Sequence, residues 1–338
     1  VTGPHPAIAA TRVAVRKALA QIGQITPGGL VLVACSGGAD SLALAAAVAF
    51  EAPPAGLTAG AVIVDHGLQE GSQAVADRAA DQCRRLLSLD PVEVVTVQVA
   101  SSGSGPEAHA RDARYRAFED VAERMGAVAV LLGHTRDDQA EQVLLGLARG
   151  SGARSLSGMP MRRGPYVRPL LGVARAVTAA ACDASGLTAW VDPHNSDPAY
   201  GRSRARALLP VLETELGRGT VAALARSADL LREDADALDD LAAQARDEME
   251  QGPVEAAALL ALPRAVRTRV WRLLALEAGC PPGALCAVHV EALDTLVTGW
   301  RGQGPIDLPG HVQGSRRGGR VFVAPTRPVE WAKDPSWR

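Results

Sequence analysis

The chain has 338 residues, which suits about two domains, and its 35 Lys and Arg against 37 Asp and Glu make it neither a polycation nor a polyanion. With 47% hydrophobic and 21% charged residues it has a globular composition,, yet no apolar run reaches the roughly 18 residues needed to cross a bilayer. The first twenty residues lack a basic region followed by a long apolar stretch, so no secretion signal is read, no membrane partner is expected and the cytoplasm is the expected location. In chain order, an apolar strand at 30–35 runs into a glycine loop and an Ala-rich helix from Ser41. A strand at 61–64 precedes a helix at 73–87. A strand at 92–99 precedes a helix at 107–125, and one at 127–132 precedes a helix at 135–149. Strands without strict alternation, each followed by a helix, predict a parallel sheet covered on both faces, an α/β domain of doubly wound type.

A Gly/Ser/Pro-rich stretch at 150–169 reads as a long loop, and helices resume near Val173 and Ser203,. A boundary is expected at Leu216-Gly217-Arg218-Gly219. It gives a first domain at 1–216 and a second, mainly helical domain at 220–325 that ends in a small β-hairpin around 306–323. A disordered tail is expected at 326–338,.

The five cysteines, Cys35, Cys83, Cys182, Cys280 and Cys286, are odd in number and contain no C-x-x-C pair, which argues against a disulfide framework or zinc ribbon,. All five are expected to be small buried residues. Only Lys17 and Lys333 are lysines, so cationic chemistry must use arginine. Between 144 and 210, nine Arg face three Asp. Between 226 and 250, three Arg face nine acids. A phosphate-rich partner would be drawn to the first stretch and repelled by the second.

Ser36-Gly37-Gly38-Ala39-Asp40-Ser41 lies between the first strand and its helix. Glycines there let a phosphate approach the backbone, and successive N–H groups at a helix N-terminus favour an anion. Ser36 and Ser41 add hydroxyls. Asp40 would repel phosphate unless it holds a Mg²⁺ that bridges phosphate oxygens. Neither G-x-x-x-x-G-K-[ST] nor G-x-G-x-x-G occurs, so the two common nucleotide fingerprints are excluded,.

This hexapeptide resembles the pyrophosphate loop of the ATP pyrophosphatases, which implies cleavage of ATP to AMP and pyrophosphate. Further segments narrow the resemblance: Val64-Asp65-His66-Gly67-Leu68 with Gly71-Ser72; Glu107, Arg111, Arg114 and Tyr115 on one helix; Gly133-His134-Thr135-Arg136-Asp137-Asp138-Gln139-Ala140-Glu141-Gln142 leading to Arg149-Gly150-Ser151-Gly152; Arg168-Pro169-Leu170-Leu171; and 192–206. Together they resemble the tRNA(Ile)-lysidine synthetase family, in a short form. That resemblance implies ligation of free L-lysine to C2 of the wobble cytidine of a tRNA(Ile) with a CAU anticodon, through an adenylated cytidine. It leaves the oligomeric state open, a homodimer included.

Asp137 and Glu141, four apart, share a helix face and suit the ammonium groups of lysine. Asp40, Asp137 and Asp138 are the expected catalytic acids. ATP is expected on the loop residues 36–41 with His66 and Arg114, and Mg²⁺ on Asp40. Transfer RNA is expected on Arg111, Arg149, Arg202, Arg204 and Arg206. Arg267 and Arg269, in a run with Arg264 and Arg272 free of acids, offer a second basic surface,. Thr135, His194 and Ser203 depart from the family's usual His, Ser and Asn. The rivals are a tRNA thiolase with the same loop, disfavoured by the missing C-x-x-C, and a non-catalytic ATP-binding module, disfavoured by the intact acids.

Overall fold

A computed structural model describes residues 3–67, 71–97, 106–193 and 197–326, with backbone alone at 106–108 and 110. The chain begins with a helix the sequence reading did not anticipate, α1 (Pro6–Ile25). Its buried Ala7, Thr11, Val15, Ala18, Leu19 and Ile22 recur at helical spacing,. Then follow β1 (Leu30–Ala34), α2 (Ala39–Glu51), β2 (Thr58–Asp65), α3 (Ser72–Asp81), β3 (Val92–Thr96), α4 (Pro106–Met125), β4 (Ala127–Leu132) and α5 (Arg136–Ala148). Val31 and Val33 of β1 pack with the core that α1, α2 and α7 (Arg175–Ala184) form on one side. Leu32 packs with Phe118 and Val121 of α4 on the other. Burial on both faces is why these strands read as continuous apolar runs.

The sheet order is β3-β2-β1-β4-β6-β5. The 150–169 stretch is not a bare loop. It holds α6 (Ala153–Leu156) and the short strands β5 (Arg162–Arg163) and β6 (Tyr166–Val167), of which β6 adds to β4 in parallel and β5 pairs back on it. From β1 the chain turns to β2 on one side, while β4 returns on the other. The C-terminal ends of β1 and β4 therefore flank the topological switch point, where doubly wound sheets open a crevice for ligands. After α7 comes α8 (Gly201–Glu215), which packs against α5.

The chain divides between Arg232 and Glu233, inside the continuous helix α9 (Thr220–Asp247), and not at the glycines near 217. Gly217 and Gly219 form a turn between α8 and α9, and no more than that. The second unit holds β7 (Val254–Glu255), α10 (Ala256–Ala261), α11 (Arg264–Glu277), α12 (Ala287–Thr298) and the strands β8 (Ile306–Leu308), β9 (Val312–Arg317) and β10 (Arg320–Pro325). The expected hairpin is β9–β10, closed by Gly318 and Gly319 at φ +53° and +78°, a turn whose twist matches the strands,. It sits within a four-stranded sheet of order β7-β10-β9-β8. Trp271 is fully buried in this unit's core. Cys286, expected inside, is exposed. It caps α12, with Sγ 3.2 Å from His289 Nδ1. No helix of the described residues is long and apolar enough to cross a membrane. Of the expected tail only Thr326 is described.

Candidate active site at the ends of β1 and β4

Between β1 and α2, residues 35–38 make the turn. Gly37 has φ +81°, and a Cβ there would meet the Ala79 Cβ of α3 at 3.3 Å, so glycine is required for both conformation and space,. A Cβ on Gly38 would meet nothing nearer than Ser36 Oγ at 3.6 Å, which leaves a cradle in front of the α2 N-terminus. Ser41 is buried and braces the turn. Its hydroxyl donates to the Gly38 carbonyl at 2.9 Å and accepts from the Ser36 N–H at 3.2 Å. Ser36 is exposed, and Asp40 sits in the first turn of α2.

Gly133, after β4, presses on this loop. A Cβ there would fall 3.1 Å from Ser41 Cα and 3.2 Å from the Asp40 carbonyl. Gly133→Ala is expected to push the β4 end off the loop, costing about 1–3 kcal/mol of stability and most of the activity. A variant with wild-type melting and turnover would show the contact to be slack.

The four sequence-nominated acids converge, and the residue they converge on was not nominated. Arg175 donates from Nη2 to Asp138 Oδ1 at 2.8 Å and from Nη1 to Glu141 Oε1 at 3.0 Å. Its Nε lies 3.5 Å from Asp40 Oδ2, and its backbone N–H donates to Asp137 Oδ2 at 2.8 Å. The Thr178 hydroxyl donates to Asp40 Oδ1. A sequence signal did exist. An arginine in the first turn of a helix opposes the helix dipole, so it needs acids nearby.

Asp138 is not a free base. Its Oδ2 accepts the Thr135 N–H at 2.7 Å and the Thr135 hydroxyl at 2.8 Å as the cap of α5, and Oδ1 takes Arg175. Burial opposes its charge, but Arg175 and the Thr135 N–H hold it below the usual carboxylate range,. Thr135, where a family His was expected, therefore serves as the helix cap. Glu141 has no exposed surface and is held by Arg175, by Arg206 at 2.8 Å and more loosely by Arg202 at 4.0 Å. Its carboxylate is taken up by these arginines. Asp137 is half-buried, more open than Asp138 or Glu141. Partial burial raises Asp40 above its ordinary value, only partly offset by Thr178 and Arg175.

The structure joins His66 to Arg114, whose Nε donates to His66 Nε2 at 3.0 Å. Burial, then Arg114, pushes the His66 pKa down to about 4, so the ring is neutral near pH 7. With Nε2 accepting, the proton lies on Nδ1, which has no partner among the described residues,. Asp65 braces this turn by accepting the Gly67 N–H at 3.0 Å.

The expected arginine clusters come apart. Arg202 and Arg206, four apart on α8, turn toward the acids, whereas Arg204 faces out and donates to the Pro198 and Ala199 carbonyls. Arg111 is exposed over the Tyr115 ring, and Arg149 is exposed at the end of α5. The Arg264 to Arg272 run is not a free basic face, because acids and carbonyls arrive from other segments. Arg267 is buried on Asp294 at 2.7 Å, Arg269 meets Asp239 at 2.6 Å, Arg264 meets Glu291 at 3.7 Å, and Arg272 donates to the Leu285 carbonyl at 2.8 Å. Glu107 and His194 lie outside the described side chains.

No group of three or more His, Cys, Asp or Glu among the described residues could hold a metal alone. Asp40 beside an open anion cradle fits Mg²⁺, which takes one or two carboxylates and fills its shell with phosphate and water.

Residues 11–212 match the PP-loop domain family, and residues 255–322 match the TilS substrate binding domain. A tRNA(Ile)-lysidine synthase of Thermobifida fusca is 58% identical over 327 residues, covering 96% of this chain and 99% of that protein. One of Streptomyces coelicolor is 55% identical over 350 residues, covering 95% and 99%. Among solved structures, the U34-tRNA thiolase NcsA of Methanococcus maripaludis, with its 4Fe-4S cluster, superposes with a TM-score of 0.54 at 19% identity over 67% of this chain and 80% of that one, a likeness of fold alone. An ATP-using loop domain, a matching substrate domain and identity running almost end to end place the chain in the tRNA(Ile)-lysidine synthase family, ligases that form a C–N bond on tRNA(Ile).

Proposed function

We propose that this protein joins free L-lysine to C2 of the wobble cytidine in the CAU anticodon of tRNA(Ile). The observation that carries this reading is the meeting, at one switch point, of an anion cradle with Asp40 on one side and Asp137 on the other, both against Arg175. In the first step the cytidine O2 attacks the α-phosphate of ATP, and pyrophosphate leaves into the cradle of residues 36–41. Mg²⁺ on Asp40 would offset charge on the phosphates. The guanidinium of Arg114, exposed and bonded through Nε to His66 Nε2, supplies donors beside the phosphates,. An unpaired anticodon base can be presented without opening a duplex. In the second step the lysine ε-amine attacks C2 and AMP leaves. That amine, with a pKa of about 10.4 in water, must first lose a proton, which a carboxylate accepts as general base.

Around Arg175 four carboxylates face three guanidiniums, those of Arg175, Arg202 and Arg206. One negative charge in excess suits the binding of lysine as an ammonium, before its ε-amine loses a proton to attack. Asp137 receives the ammonium, and Asp138 and Glu141 keep the arginines in place. Exposed Arg111, Arg149 and Arg204 supply phosphate contacts, which give affinity with little sequence choice.

Incubation with ATP, labelled lysine and separate tRNAs tests the assignment. Label is expected only in tRNA(Ile) bearing CAU. Label in a tRNA with another anticodon, or in none, refutes it. Asp137→Asn is expected to cut lysine transfer by about 100-fold while changing ATP affinity by less than about 3-fold. Should ATP affinity collapse with lysine dependence unchanged, Asp137 serves the nucleotide instead.

A further inference from the structure

We infer that Arg175 is the positioning residue of this site, the single group that fixes the loop carboxylate and the α5 carboxylates relative to one another, a role that rests on the lysidine-forming reading only for its assay. Arg175 belongs to a third element. Asp40 stands on α2, after β1. Asp138 and Glu141 stand on α5, after β4. Arg175 opens α7, which packs against α1 and α2. Each guanidinium nitrogen has its own carboxylate: Nη2 on Asp138 at 2.8 Å, Nη1 on Glu141 at 3.0 Å and Nε near Asp40 at 3.5 Å. One helical turn on, the Thr178 hydroxyl donates to the other Asp40 oxygen, and the Arg175 carbonyl, 2.8 Å from the same Oγ1, is the alternative acceptor for its single proton,.

The first turn of α7 is thus a clamp between the half of the site that handles phosphate and the half that handles the amine. No other arginine replaces it. Arg206 and Arg202 reach Asp138 and Glu141 from α8, and among the ion pairs of the described residues only Arg175 reaches Asp40. A planar fork is needed, because an ammonium is a point charge and serves one carboxylate well, not three. A cation in the first turn of a helix is also locally unfavourable, so its placement is explained by the acids it joins and not by α7.

The consequence is geometric. The cytidine O2 must meet the α-phosphate in line and the amine must then reach C2, and a misplacement of about 1 Å costs on the order of 100-fold in rate. The full-length Arg175→Ala and Arg175→Lys proteins test this. AMP formation with tRNA and ATP is measured beside lysine labelling and thermal melting. Arg175→Ala is expected to lose about 100-fold or more in kcat, with a smaller change in KM for ATP. Arg175→Lys should recover less than about a tenth of wild-type turnover. Added guanidinium chloride should restore Arg175→Ala by about 10-fold, and ammonium chloride at equal ionic strength should not. A residue that merely stabilises the fold would show no such selective rescue. Turnover of Arg175→Ala within about 3-fold of wild type, or a loss indifferent to guanidinium, overturns the inference. If Arg175→Ala does not fold, Arg175→Lys decides, and full activity there overturns it. A wild-type protein that forms AMP but incorporates no lysine removes the lysidine reading, while AMP formation by the variants still decides the role of Arg175.

Discussion

Asp40→Ala will abolish tRNA-dependent AMP formation, by on the order of 1,000-fold, and leave the fold standing. The carboxylate is about a quarter exposed, at the mouth of the cradle, and its contacts are Thr178 and Arg175. Both partners have others: without Asp40 the Thr178 hydroxyl turns its proton to the Arg175 carbonyl, and Arg175 still holds Asp138 and Glu141. Stability should therefore move by about 1 kcal/mol or less. Turnover is different, because the loop would supply N–H donors for phosphate and Asp40 is the carboxylate that would hold Mg²⁺ beside them. Near-normal AMP production by this variant, with a wild-type melting curve, would show that the cradle works without that carboxylate.

Arg267→Ala will unfold the second unit more readily and will not change how tRNA binding responds to salt. Arg267 donates from Nε and Nη2 to Asp294, whose Oδ1 also accepts the buried Trp271 Nε1–H at 3.0 Å. The side chains of the pair are only 9% and 11% exposed. Removing the guanidinium leaves a buried carboxylate without its cation, a loss of about 3–5 kcal/mol. Arg264→Ala is the control. Its side chain is 70% exposed and faces an exposed Glu291, so it should cost less than about 1 kcal/mol,. A phosphate contact at Arg267 would instead reduce the salt slope by about 0.9. A reduced slope with unchanged melting would reinstate Arg267 as part of an RNA surface.

These two residues mark what a sequence shows and what it hides. The place of Asp40 was legible because its motif is local. Strand, glycines, acid and helix follow one another within a dozen residues, and the same locality made the strands β1 to β4 and their helices readable. The switch-point site was half legible, since Asp137 and Glu141 declare a shared helix face. Their common partner Arg175 lies 34 residues beyond Glu141 and announces itself only by its awkward place on α7. Arg267 was misread because a run of four arginines looks basic until folding brings Asp294, Asp239 and Glu291 to it. Charge spacing along a helix shows which residues share a face, not what that face meets. The same limit applies to Arg202, Arg204 and Arg206, of which only the middle one looks outward. Helix α1 carried a readable apolar stripe from Ala7 to Ile22.

The start of α2 has one more consequence. Its N-cap is Gly38, and among the described residues no side chain caps it, in contrast to α5, where Thr135 and Asp138 close the end. The first N–H groups of α2 are therefore matched by water or by an anion. An anion seated there does the work of a capping residue, so substrate, and equally the released pyrophosphate, adds to the stability of the native state through ordinary mass action. At a hundredfold excess over its dissociation constant that linkage amounts to about 2.7 kcal/mol. The same contact that helps the leaving group depart also gives it a reason to stay, and turnover then depends on how fast pyrophosphate is removed from solution.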